Sequence, residues 1–218
     1  RDARLTEEIR QDFSYFEKTL YSYDYDREKH GYTSMIDVDS FVDYFIINEL
    51  SSNADAGNYS TYIYKGTDNL YRMCVWDFNN ACNNYFEEEL PYTGFFLNNR
   101  LWFEMLIKDE DFTERIIQRY HSLRKGLLSE ESLYRYIDET LDFIAPALAR
   151  NDARWGSVEQ QAKGLLVPVS RNLDSRSAAE GQLKGYLRNR GEWLDENIET
   201  LRQYSAPSRV KQYNEVND

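Results

Sequence analysis

Histidine, cysteine and positive charge are scarce in this chain of 218 residues, and each shortage removes a class of function. The 2 His and 2 Cys fall in no zinc-ligand spacing, and H-E-x-x-H does not occur. There is no G-x-x-x-x-G-K-[ST] phosphate loop and no G-x-S-x-G nucleophile elbow, so zinc-enzyme, hydrolase and dinucleotide-binding readings lack support. Lys and Arg number 26 against 38 Asp and Glu, a formal charge of −12. Binding nucleic acid requires clustered cations to neutralise phosphates, so no nucleic-acid partner is expected. The same charge suits simple solubility, and it also suits a cationic protein substrate. No apolar run approaches the ~20 residues of a membrane helix, so no membrane span is expected in this chain. Internal repeats and low-complexity tracts are absent as well.

Aromatics are plentiful: 15% of residues, with 18 Tyr and 4 Trp. The length suits one domain with a substantial core. We expect that domain over residues 1–206, followed by a polar tail at 207–218.

Apolar spacing predicts a helix over 2–22, with Leu5, Ile9, Phe13, Phe16 and Leu20 on one face. Asp37 is placed to cap a second helix in which Val38, Phe41, Val42, Phe45, Ile46, Ile47 and Leu50 spread apolar surface most of the way round. A helix of that kind is buried on most sides. Residues 80–94 have little period and read as a long irregular loop. A short helix is expected over 101–108. Asp111-x-x-Glu114 resembles a capping box for a helix burying Phe112, Ile116, Tyr120 and Leu123 and ending at Gly126. Ser129 should cap a helix burying Leu133, Ile137, Leu141, Ile144 and Leu148, kinked or ended by Pro146. Residues 151–172 read as mixed loop, and 177–204 as a last helix.

The stretch from Asn53 to Asn79 organises the rest. A polar turn, 53–58, precedes a β-type run at 59–64, a turn at 66–69, and a second β-type run from Leu70 to Asn79. Such a hairpin brings Asp55 and Asp77 towards one another. Two carboxylates and the Asn58 amide there would suit a divalent cation carrying phosphates. Turn stabilisation is the plain alternative for Asp55 and Asn58. Asp77 follows Val75-Trp76, read as a buried strand end, where a carboxylate must find partners. Cys74 and Cys82 flank the Trp-Asp-Phe segment. A free Cys is common in a buried strand, and spacing alone does not establish a bridge.

These residues carry a resemblance. Phe41-Val-Asp-Tyr-Phe-Ile-Ile-Asn-Glu-Leu50, Asn53-x-Asp55-x-x-Asn58-Tyr59-x-x-Tyr62-x-Tyr64 and Val75-Trp76-Asp77-Phe78-Asn79 resemble the CotH (spore coat protein H) kinase family. So do Arg119-Tyr120-x-x-Leu123-Arg124, Ala145-Pro146-x-x-x-Arg150 and Arg188-x-Arg190-Gly191-x-Trp193. The resemblance implies a mainly α (α+β) fold, a protein-kinase-like C-terminal lobe with a small β-hairpin carrying the site. It implies transfer of phosphate from ATP, with Mg²⁺ or Mn²⁺, to a secreted or surface protein at a bacterial cell or spore surface. Asp55 would be the catalytic base, with Asp77 and Asn58 holding metal and nucleotide phosphates. Asn79 stands where members usually carry a second Asp. No Gly-rich loop and no strand-borne phosphate-holding Lys occurs, so the nucleotide lobe is expected to lie outside this chain, which alone would be inactive. The other reading is a non-catalytic structural or adaptor domain of a surface or spore-coat-type protein.

Overall fold

The structure is a computed structural model that describes residues 2–157, 164–208 and 210. It is mainly α, with one small antiparallel hairpin. Helix α1, Ala3–Leu20, is capped by Asp2, whose carboxylate accepts the Arg4 and Leu5 amides. Its C-terminal half enters the core through Phe16 and Leu20, whereas Leu5 and Ile9 stay exposed. The predicted apolar face is therefore covered at one end only.

Gly31 sits where the chain folds back on itself. A Cβ there would lie 2.2 Å from the Tyr25 carbonyl oxygen, so no other residue fits without moving the backbone. A 3₁₀ turn, Tyr32–Ser34, then leads into α2, Val38–Ser51, with Asp37 as its cap as predicted. Phe41, Phe45, Ile46 and Leu50 of α2 are buried, and the helix packs against β2, α4 and α6, all defined below. It is the axis of the core.

Strands β1, Tyr62–Lys65, and β2, Tyr71–Cys74, pair in register from Tyr62 opposite Cys74 to Lys65 opposite Tyr71. Two strands alone are marginal in water. Here the hairpin is pinned: Asp37 donates its amide to the Tyr71 carbonyl, and Tyr71 donates its own to Met35. Phe16 and Phe13 pack on the Tyr71 ring.

Between β2 and α3, Phe103–Leu106, the chain is irregular, as expected for the loop. Helix α4, Glu110–Arg124, buries Phe112, Ile116 and Tyr120. Its cap is Asp109, two residues before the predicted one; that carboxylate accepts the Asp111 amide and the Tyr32 hydroxyl. Helix α5, Glu130–Trp155, departs most from expectation. Ser129 caps it, but it runs through Pro146 without ending and has no fully buried residue; Leu133, Ile137, Leu141, Ile144 and Leu148 are only half-covered. Its apolar period packs chiefly along α6, with Leu133 also reaching the core. Helix α6, Arg176–Asn197, passes into a 3₁₀ turn, Ile198–Tyr204, that packs on α4. The expected tail lies mostly outside the described residues. No described helix is long and apolar enough to cross a membrane.

Candidate active site

The turn that carries Asp55 is built by side-chain amides at the end of α2. Asn48 donates to the Tyr44 carbonyl, and the buried Asn53 donates to the Asn48 side-chain oxygen at 3.1 Å. The Asn53 side chain in turn accepts the Asp55 amide at 3.3 Å. Beyond it the Asp55 carbonyl accepts the amides of Asn58 and Tyr59. Gly57 is required here: its φ is +79°, and a Cβ would lie 2.9 Å from the Cβ of Arg100. Arg100 can come so close because its guanidinium donates to the carbonyls of Ala54 and Ala56, one on each side of Asp55.

Asp55 is half-buried, and its Oδ2 accepts the side-chain amide of Asn80 at 2.8 Å. Asn80 is three residues past Asp77. The segment after the hairpin is thus folded back on the turn before it, the juxtaposition that the hairpin predicts. Asn58 is in the same turn as Asp55 and is exposed.

Asp77 is placed differently from the expectation. Strand β2 ends at Cys74, and Val75 and Trp76 are 59% and 61% exposed, so Asp77 does not terminate a buried strand. Among the described residues no further strand lies beside the hairpin to cover these side chains. Asp77 is exposed, has φ +52°, and its carboxylate has no partner among the described residues. Left-handed backbone is unusual for Asp, and it ends the extended run. The Trp76 ring meets Tyr62 edge-on, with centroids 5.8 Å apart, giving an exposed aromatic pair beside Asp77. Cys74 and Cys82 are both free thiols. Burial pushes the Cys82 thiol up to about 12.

Behind the turn lies an ion pair that sequence reasoning missed. Arg190 of α6 and Glu49 of α2, 0% and 1% exposed, meet at 2.6 Å. The Arg190 guanidinium also donates to the carbonyls of Glu49, Tyr92 and Gly94. Glu49 accepts the amides of Phe96 and Leu97. Three residues after Leu97 comes Arg100, so the pair holds both the end of α2 and the segment that braces Asp55. A charged residue amid the apolar run 41–50 was the available signal.

The family model described as CotH kinase protein matches residues 2–194. The chain belongs to the CotH family. The match covers every element named above except the last 3₁₀ turn and the end of α6, and it carries a kinase-like function at family level, with nucleotide, divalent metal and a protein substrate in general terms. No curated protein matches the chain.

For such a family the fit of a metal can be judged from the donors present. No group of three or more His, Cys, Asp or Glu among the described residues is arranged to hold an ion by itself. Mg²⁺ does not need one, since it uses one or two carboxylates, retained waters and substrate phosphates. The unpartnered, exposed Asp77 carboxylate fits that smaller requirement.

Proposed function

We propose that the chain carries the transfer centre of a CotH-type protein kinase, with Asp55 as the base or orienting carboxylate and Asp77 as the metal carboxylate. The observation that carries this reading is the Asn80 to Asp55 hydrogen bond, which joins the two motif segments. Asn80 occupies Oδ2 and leaves Oδ1 to receive a hydroxyl. The acceptor oxygen attacks the γ-phosphorus of ATP, the bond to the β,γ-bridging oxygen breaks, ADP departs, and the hydroxyl proton passes to Asp55. Asp77, with Asn58 as a second donor, would hold Mg²⁺ or Mn²⁺. Bound there, the ion neutralises charge on the phosphates. The exposed Trp76 ring, met edge-on by Tyr62, offers an aromatic face on which a nucleobase can stack. Arg190, Glu49 and Arg100 fix the turn so that the carboxylate does not have to be ordered during reaction. By family membership we place the activity at a cell or spore surface.

A non-catalytic interaction domain is the competing reading, favoured by Asn79, which leaves one carboxylate fewer beside Asp77. Transfer of radiolabelled γ-phosphate to a protein acceptor separates the two. The kinase reading expects incorporation by the full-length protein and none by its Asp55→Asn variant. Equal incorporation by Asp55→Asn and wild type would refute it.

A further inference from the structure

Asn80, which holds Asp55, also lines a cleft of about 590 Å³. One wall is the loop from Asn79 to Phe86, the other runs from Leu165 to Leu173, and Gln182 of α6 closes the floor. The two walls are fastened to each other. Val167 donates its amide to the Phe86 carbonyl at 2.9 Å, and Arg171 donates to the Asn83 carbonyl at 2.6 Å and to the Val167 carbonyl. The cleft is therefore formed before anything binds.

Its lining has a particular chemistry. Arg171 is engaged through both terminal nitrogens, yet its Nε is buried with no acceptor. A buried donor without a partner calls for an acceptor from outside. The side-chain amides of Asn79 and Gln182 make no hydrogen bond among the described residues, and each offers two donors and an acceptor. An anion such as a phosphate is a poor match, because among the described residues Arg171 is the one cation in the lining, which also contains Glu89. A peptide main chain, with donor and acceptor in every unit, is a good one. Asn80, Asn83, Asn84 and Asn172 also line it but are already hydrogen-bonded within the protein, and Leu165, Leu166, Leu173 and Phe86 give it an apolar part.

We propose that this cleft holds the acceptor polypeptide as an extended segment. Its main chain pairs with Asn79, Gln182 and the Arg171 Nε, and an apolar side chain flanking the acceptor residue seats on Leu165 and Leu173. The inference rests on the proposed transfer at Asp55, since Asn80 links cleft and carboxylate, but its test needs no transfer. Fluorescein-labelled nonapeptides with a central serine, and Leu, Ala or Asp walked through the flanking positions, are titrated against the protein without nucleotide and followed by anisotropy. At one position Leu should bind about tenfold tighter than Asp, the factor that burying one such side chain confers. Leu165→Asp should erase that preference, and Gln182→Ala should weaken every peptide about threefold or more. Leu165 is 64% exposed, so its replacement leaves the core intact. No measurable binding, no positional preference, or a preference unchanged in Leu165→Asp would overturn the proposal. Selective peptide binding without phosphate incorporation by the full-length protein would sink the kinase reading and spare the cleft; incorporation without selective binding would do the reverse.

Discussion

Removing Arg190 should be among the most damaging single changes available outside the apolar core. Its side chain is fully buried against Glu49, and it donates to three carbonyls besides. Arg190→Met keeps much of the volume beside Phe96 and Trp193, so the loss is mainly electrical. Breaking a buried pair from one side costs about 3–5 kcal/mol, because the other charge is left unpaired in low dielectric. Glu49 would keep the Phe96 and Leu97 amides, which argues for the lower half of that range. Against a total stability of about 5–15 kcal/mol, the variant should fold but with a clearly lower urea midpoint. Glu49→Gln with Arg190→Met removes both charges and retains an acceptor for the two amides. The double variant should therefore cost less than the sum of the singles, with a coupling of about 1–3 kcal/mol. Urea melts read by tryptophan fluorescence supply all four corners of the cycle, since Trp193 stacks beside Arg190. A cost under about 1 kcal/mol for Arg190→Met, or additive singles, would refute the reasoning.

Other consequences can be checked separately. Pro146→Ala should raise stability, by up to about 3 kcal/mol, because α5 runs through a residue that cannot donate to its ladder; a lower melting temperature would contradict this. Lys65 and Tyr71 donate to Asp12 and hold its carboxyl below the usual range, so this contribution is present above about pH 4 and fades as pH falls through the depressed value. Asp12→Asn should lose stability at pH 7 and show a flatter acid melt than wild type; parallel curves would count against the pairing. With its thiol pushed up to about 12 by burial, Cys82 should resist iodoacetamide at pH 8 in the native protein and react once unfolded, as mass spectrometry of the adducts would reveal. Asn79→Asp should tighten Mn²⁺ binding about tenfold if that position adjoins the metal carboxylate, and unchanged affinity would place it elsewhere.

What could be read in advance was what neighbours in sequence decide. Asp37 capping an all-round apolar helix, the turn chemistry at 66–69 and the Ser129 cap of α5 depend on residues a few positions apart, and they appear as expected. Asp55 and its turn were visible for the same reason. Burial was read less well, because it depends on which partner arrives. Val75-Trp76 has strand composition, but among the described residues the hairpin has no third strand to cover it. The period of α5 is real, yet it packs chiefly against α6 and buries none of its residues fully. The first half of α1 likewise projects past the core. The pairs themselves, distant in sequence, were out of reach: Glu49 with Arg190 across 141 residues, and Asn80 as the partner of Asp55 across 25, where the hairpin predicts only that the two segments meet. Neither spacing has a local signature.

The assignment of Asp77 is tested most directly by metal-dependent melting. At a tenfold excess of Mn²⁺ over its dissociation constant, binding to the native state alone adds about 1.4 kcal/mol. The wild-type protein should show that gain as a raised melting temperature. Asp77→Asn, which keeps the shape and removes the charge, should lose it, and Asp55→Asn should keep most of it. A shift in Asp77→Asn equal to that of wild type would contradict the account.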